Sequence, residues 1–323
     1  MPQARCARCG QPITATYVTA MGKTWHPEHF TCAKCGKALA NEKFVEKEGK
    51  PYCTADYLKL FGLKCSVCGQ YIDGPYIEDF WKDTFCSKHL KEFPSCFNCE
   101  RPISPMLTKG GVDFGDGRFC CNVCKPKIIG EAEINRRVLP RLVAFFENYR
   151  LPLTSLIQGV PVRVVSSREM TKYSQGDSLH PVTGLIRKLV ISEGRPATAS
   201  QGRPSPDAPG RNPLKKIQEI LVLNGLTEIG ATAVLAHEVG HAYMFAHDFA
   251  ELPPVVEEGM AELFAFLWLR SRKGPEVAFY LHRMEENESP IYGEGYKHAR
   301  QYMFDNGFWK LLDYVKKNAR FPQ

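Results

Sequence analysis

From Glu131 onward the apolar residues fall into regular rhythms. Ile134, Val138, Leu142, Phe145 and Phe146 recur at helical spacing, which predicts an amphipathic helix over Glu131 to Tyr149, with Pro140 placed to kink it. Val160 to Val165 and Leu185 to Ile191 read as strands. Residues 193–213 are rich in Pro, Gly, Ser and Ala and read as a mobile surface loop. Lys215 to Leu223 reads as a further strand that stops at Asn224-Gly225, and we assign it the edge of a cleft, where an extended substrate would add as another strand. Thr227 to Phe245 contains no proline, and Ile229, Val234, Leu235, Val239 and Phe245 can line a buried side, so this is a long helix. Val256 to Glu262 opens an apolar run, Leu263 to Leu269, on a second helix. A short helix over Glu276 to Met284 follows, and Ser289 to Arg300 leads into a last one running towards Lys317. Before Ile128 the ordering residues are cysteines instead. The pattern predicts an α+β chain: two small zinc-ribbon-like modules over residues 1–62 and 63–127, then a mainly helical domain with a small sheet over 128–323.

The long helix carries the first candidate chemistry. His237 and His241 stand four residues apart and therefore share a helix face, so both imidazoles can reach one Zn²⁺. Glu238 between them can lean towards a water on that metal and act as general base. A catalytic zinc needs a third protein ligand and an open fourth position. His247 has the spacing of H-E-x-x-H-x-x-G-x-x-H, but Met244 stands where that arrangement turns on glycine. Glu258 on the second helix is the favoured ligand, with Glu257 adjacent to it, and Glu262 is placed to accept the second N–H of a ligand histidine. This arrangement resembles the gluzincin peptidases, in which a glutamate on a following helix completes the site. Tyr292, Tyr296 and His298 are candidates to stabilise an oxyanion.

All 13 cysteines lie before residue 125, most of them in C-x-x-C pairs, which points to metal rather than disulfides. Cys6, Cys9, His26 and His29 make one tetrahedral set, and Cys32, Cys35, Cys53 and Asp56 make a second. The spacing, with Trp25-His-Pro-Glu-His-Phe-Thr-Cys32, resembles a LIM domain, a protein-binding module. Cys65, Cys68, Cys86 and His89, then Cys96, Cys99, Cys121 and Cys124, repeat the theme with a longer gap between the halves. That makes a LIM-like module and leaves Cys120 over. The expected metal content is four structural zincs and one catalytic zinc.

Other features narrow the function. The N-terminus has no apolar signal-peptide core and no apolar run is long enough to span a bilayer, so a cytoplasmic protein without membrane contact is expected. The formal charge of +7 falls once thiolates and zinc are counted and stays mildly positive. No dense Lys/Arg stripe accompanies the zinc knuckles, so no nucleic acid is expected.

The ordered set of motifs resembles the plant LIM-domain peptidases that are activated by ubiquitination and limit organ growth. It comprises a LIM module, a LIM-like module, Leu235-Ala-His-Glu-x-x-His-Ala, Val256-Glu-Glu-Gly259, Ser289-Pro-Ile-Tyr-Gly-Glu-Gly295 and Arg320-Phe-Pro322. The resemblance implies a zinc peptidase of gluzincin type acting on proteins, with His237, His241 and Glu258 as ligands, Glu238 as base, and Tyr292 rather than Tyr296 at the oxyanion. It implies LIM modules that bind protein partners or regulate the enzyme, and ubiquitin or ubiquitinated proteins as partners. The ubiquitin-interacting helices that precede the LIM module in the plant proteins are not expected here, because the first zinc ligand is residue 6. The alternative function is a catalytically silent LIM scaffold with a pseudopeptidase domain.

Overall fold

A computed structural model describes residues 4–173, 183–191 and 214–322. The chain divides into two compact units: Met1–Pro94 with Arg101–Gly110, and Ser95–Glu100 with Gly111–Gln323. The loop expected over 193–213 lies outside the described residues.

The first unit is built from short antiparallel hairpins. β1 (Val18–Ala20) pairs with β2 (Lys23–Trp25), and β3 (Phe44–Lys47) pairs with β4 (Lys50–Cys53). Helix α1 (Thr54–Phe61) starts at Cys53, whose sulfur accepts the Asp56 N–H and so fixes a ligand and a helix start together. β5 (Tyr76–Glu78) pairs with β6 (Thr84–Cys86), followed by α2 (His89–Glu92). The buried apolar clusters are small: Ala20, Phe30, Cys32 and Leu39 in one, Cys65, Val67, Ile72 and Phe85 in the other. Cores of that size do not hold a chain folded, which is why such modules depend on metal for about 10 kcal/mol or more of folding free energy per site.

The second unit opens with the hairpin β7 (Gly111–Asp113) and β8 (Phe119–Cys121). α3 (Glu131–Glu133) runs through a π-helical turn, Ile134–Val138, into α4 (Leu139–Asn148). The wide turn falls immediately before Pro140, whose ring and missing N–H the regular helical ladder does not accommodate. α5 (Thr154–Ile157), β9 (Val162–Val165), α6 (Ser167–Tyr173), β10 (Gly184–Ile191) and β11 (Leu214–Leu223) follow. The remainder is helical: α7 (Glu228–Ala246), α8 (Pro254–Arg270), α9 (Pro275–Glu285), α10 (Tyr292–Asn306) and α11 (Phe308–Asn318). The architecture is α+β, with cysteine-rich two-stranded modules leading into a mainly helical part with a small mixed sheet.

Two expectations are corrected here. The sheet order is β10-β11-β9, so β11 is the central strand and not the edge; among the described residues the edges are β10 and β9. β11 pairs antiparallel with β10, Gly184 opposite Val222, and parallel with β9, Val162 opposite Ile220. Ile220, Leu221, Val222 and Leu223 are all buried, the mark of a strand covered on both faces. The helix expected to run unbroken to Lys317 is two helices. Gly307, at φ 94° and ψ 151°, ends α10 and starts α11 in a conformation that favours glycine.

The position of the site depends on two backbone approaches. A Cβ on Gly240 of α7 would stand 3.0 Å from the Ala261 Cα of α8. α8 and α10 come closer still: a Cβ on Gly259 would lie 2.4 Å from the carbonyl carbon of Gly295, and one on Gly295 would lie 2.1 Å from the Val255 oxygen. Helices meet backbone to backbone where neither residue has a side chain. These contacts bring the carboxylates at the start of α8 to the histidines of α7, and the first turn of α10 beside both.

Candidate metal centre and active site

α7 begins at Thr227, whose side chain accepts the Gly230 N–H, and is buried on nearly every side. His237 and His241 project from consecutive turns, with their Nε2 atoms 3.1 Å apart. Glu258 Oε2 stands 3.2 Å from His237 Nε2 and 3.4 Å from His241 Nε2. Tetrahedral ligand atoms about 2 Å from zinc are about 3.3 Å from one another, so the three separations fit one ion.

The outer contacts support the same fit. His241 Nδ1 lies 3.1 Å from Glu257 Oε1, and His237 Nδ1 lies 3.4 Å from Glu262 Oε1. A ring that donates Nδ1–H to a carboxylate keeps the Nε2 lone pair for a metal. Both lone pairs then face the buried Glu258 Oε2, which has no hydrogen-bond donor of its own. Three acceptors converging in a buried place suit a cation, and the His237, His241 and Glu258 group fits a zinc site.

Glu238 is 5% exposed, and burial raises its carboxyl above the ordinary value. The first residue of β10 faces it: a Cβ on Gly184 would come within 2.5 Å of Glu238 Oε1. The Tyr292 ring, at the start of α10, is 6.5 Å from the His237 ring. Burial, then the carboxylates of Glu258, Glu262 and Glu238, push its phenol up to about 12, so it keeps its proton as a donor. Tyr296 is buried with its hydroxyl committed to Glu285 at 2.7 Å. His298 has Phe321 as its ring neighbour, at 6.2 Å. His247 caps the end of α7, stacked on Tyr243 at 3.9 Å and bonded to the Tyr243 carbonyl at 2.9 Å, outside the metal-binding group.

Sequence reasoning missed three participants. Glu257, considered only as a substitute ligand, supports His241 instead. Lys188 of β10 reaches Glu257 at 3.3 Å and so ties the edge strand to that support. Gly184 lets β10 approach Glu238 closely. The strand reading of Leu185 to Ile191 included Lys188, but only the packing of that strand against α7 gives it a role.

The sixteen residues expected as ligands in the cysteine modules gather into four groups, each with its candidate ligand atoms within 4.8 Å: Cys6, Cys9, His26 and His29; Cys32, Cys35, Cys53 and Asp56; Cys65, Cys68, Cys86 and His89; and Cys96, Cys99, Cys121 and Cys124. Thiolates about 2.3 Å from zinc stand about 3.8 Å apart, close to the 4.0 Å between Cys35 and Cys53 and the 3.7 Å between Cys99 and Cys121. Against the opposing effect of burial, the backbone N–H groups of His26, Cys9 and Arg8 hold the Cys6 thiol down to about 5, ready as a thiolate. His89 Nε2 is buried without a hydrogen-bond partner while its Nδ1 meets Glu92 at 2.5 Å, the arrangement of a ligand histidine. All four clusters are consistent with structural zinc.

The fold and the site together define a protein with cysteine-rich zinc-binding modules joined to a mainly helical domain that carries a His-His-Glu group fitting a zinc site. The LIM domain family model matches residues 6–61, and the DA1-like family model, described as Protein DA1, matches residues 155–277. Protein DA1 of Arabidopsis thaliana is 25% identical over 98% of this chain and 68% of its own length. Protein DA1-related 2 of the same plant is 27% identical over 98% and 69%, and the LIM domain-containing protein HDR3 of Oryza sativa subsp. japonica is 24% identical over 98% and 74%. The chain is a distant homologue of plant Protein DA1 and the DA1-related proteins over nearly its full length, carrying a LIM domain and a DA1-like domain. No described helix is long and apolar enough to cross a membrane.

Proposed function

We propose that this chain is a zinc-dependent peptidase that cleaves proteins, with His237, His241 and Glu258 holding the catalytic ion. The observation that carries the reading is the convergence of two imidazole Nε2 atoms and a donor-free, buried carboxylate oxygen beside a buried glutamate that is no part of that ligand group. Zinc held by these residues would supply a Lewis acid able to polarise a carbonyl and make water a stronger acid near neutral pH. Glu238 accepts the proton of the attacking water as its oxygen bonds to the carbonyl carbon, and passes it to the amine nitrogen as the C–N bond breaks. Its raised pKa suits both tasks, since a base that is too acidic does not take the proton. Tyr292 donates its hydroxyl to the oxyanion of the tetrahedral species. Glu257 and Glu262 hold the histidines in one tautomer and orientation. β10, whose Gly184 lets the strand pack directly against Glu238, is the strand along which an extended substrate lies.

In this reading four further zinc ions staple the cysteine modules. LIM domains generally mediate protein–protein binding, and the first module serves that purpose here. Glu258→Gln in the full chain is expected to lose one zinc of five and all cleavage of an unfolded protein. Five zincs retained with unchanged cleavage would reject the assignment.

A further inference from the structure

The fourth cysteine cluster differs from the first two in what surrounds it. All four of its sulfurs are buried, whereas Cys9 and Cys35 are exposed in the first two clusters. It belongs to the same compact unit as α7. Its side chains and turns grip residues 224–227, the entry to the helix that carries His237 and His241.

Asn98 lies inside the Cys96–Cys99 turn and is 3% exposed. Its Nδ2 donates to the Gly225 carbonyl at 2.9 Å, and its Oδ1 accepts the Thr227 N–H at 3.0 Å. Arg118, on the hairpin that delivers Cys121, donates to Asn224 O and to Asn224 Oδ1, both at 2.6 Å. Asp116 fixes the guanidinium at 2.7 Å, and the rings of Phe97 and Phe114 flank it at 5.1 and 5.0 Å. Ile129 N–H donates to the Leu226 carbonyl at 3.3 Å. Gly225, at φ +84°, accepts Phe114 so closely that a Cβ there would meet its Cζ at 2.6 Å. A salt bridge joins Glu100 to Arg283 of α9 at 2.9 Å, and Lys127 pairs with Glu276 of the same helix. The polar side chains of this knuckle are thus committed to the helix entry, Asn98 to Gly225 and Thr227 and Arg118 to Asn224.

We propose that the cluster of Cys96, Cys99, Cys121 and Cys124 is a pedestal for α7, with Asn98 and Arg118 as positioning residues that couple metal at the knuckle to metal at the histidine site. The ion closes the two C-x-x-C turns, the turns fix Asn98 and Arg118, and these fix the first turn of α7. The two histidines lie further along the same rigid element. The inference uses the metal centre and not the peptidase reading, so its test needs no substrate.

The test uses full-length protein and three variants. Zinc per chain, zinc retained at the histidine site against a chelator, and amide exchange across residues 226–235 are measured. Cys9→Ser, in the first cluster, is expected to remove one zinc and leave exchange in α7 unchanged. Cys99→Ser is expected to remove more than one and to expose the start of α7. Asn98→Ala keeps every cysteine, so it decides the matter if Cys99→Ser does not fold. It is expected to retain the knuckle ion, raise exchange at Thr227 to Ala231 about tenfold or more, and lower retention at the histidine site about tenfold. Wild-type exchange and retention in Asn98→Ala would overturn the proposal. Raised exchange with unchanged retention would overturn it too, because Asn98 would then be a local cap without influence on the site.

Discussion

Gly259→Ala gives a test in which the sign alone is informative. In the interior of an ordinary helix, glycine to alanine stabilises by about 1 kcal/mol, because the unfolded chain loses freedom and the helix gains a good former. Gly259 is interior to α8, so propensity predicts a gain. The packing predicts the reverse. The new Cβ would stand 2.4 Å from the carbonyl carbon, 2.5 Å from the oxygen and 2.7 Å from the Cα of Gly295. Non-bonded carbons rest about 3.5–4.0 Å apart, so α8 and α10 must separate by about 1 Å. All three atoms belong to backbone, and no rotamer relieves the contact. Overpacking of this kind costs about 1–3 kcal/mol and more where backbone moves. At the upper end of that range, since backbone must move, a net loss of about 2 kcal/mol follows once the propensity gain of about 1 kcal/mol is set against it, and the melting temperature falls by roughly 2–4 °C per kcal/mol. The lesion also reaches the site, since Glu258 precedes Gly259 and Tyr292 stands one turn before Gly295. Thermal unfolding of wild type and variant, each with its zinc content, is the assay. Gly240→Ala provides the graded comparison: its Cβ meets Ala261 Cα at 3.0 Å and the Phe264 ring at 3.1 Å, so a smaller loss is expected. A Gly259→Ala protein as stable as wild type, or more stable, with full zinc would refute the close crossing.

Two further outcomes follow from the supporting residues. Glu257→Gln removes the charged partner of His241 without touching a ligand atom, so zinc affinity at the histidine site should fall about tenfold while the other four ions stay bound; competition with a chelator reads this directly. Glu219 lies between Arg187 and Arg163 across the sheet, and although burial acts to raise its carboxyl, the two guanidinium groups hold it below the ordinary value. A lowered carboxylate contributes stability that is full above its unfolded value, about 4.3, and is lost as pH falls through the folded value. Urea midpoints should therefore drop below about pH 4.3 in wild type and be flatter in Glu219→Gln, which starts about 2 kcal/mol lower at neutral pH; parallel curves would contradict the pairing.

Local features were legible in the sequence, and long-range placement was not. Metal-ligand spacing is local: C-x-x-C makes one turn and His237 with His241 share one face, so each pair is readable without knowing the fold. Helix α7 was readable from its apolar positions and the absence of proline from Thr227 to Phe245. The central place of β11 was not, because strand order is decided by what the sheet packs against. The break at Gly307 was hidden by apolar positions that continue past it. Glu257 and Glu258 are adjacent carboxylates on one helix. Their different partners, His241 and Lys188 for Glu257 and both imidazoles for Glu258, follow from the angle at which α8 crosses α7. Asn98 carried no signal as one residue inside a C-x-x-C turn. Its bonds run to residues more than a hundred positions away, and only the folded chain brings them together.

The central claim, a zinc peptidase with Glu238 as its base, is tested most directly by cleavage of an unfolded protein with wild type and Glu238→Gln, counting zinc in both. The account predicts equal zinc and a rate at least about 10²-fold lower in the variant. Equal rates at equal zinc would contradict it.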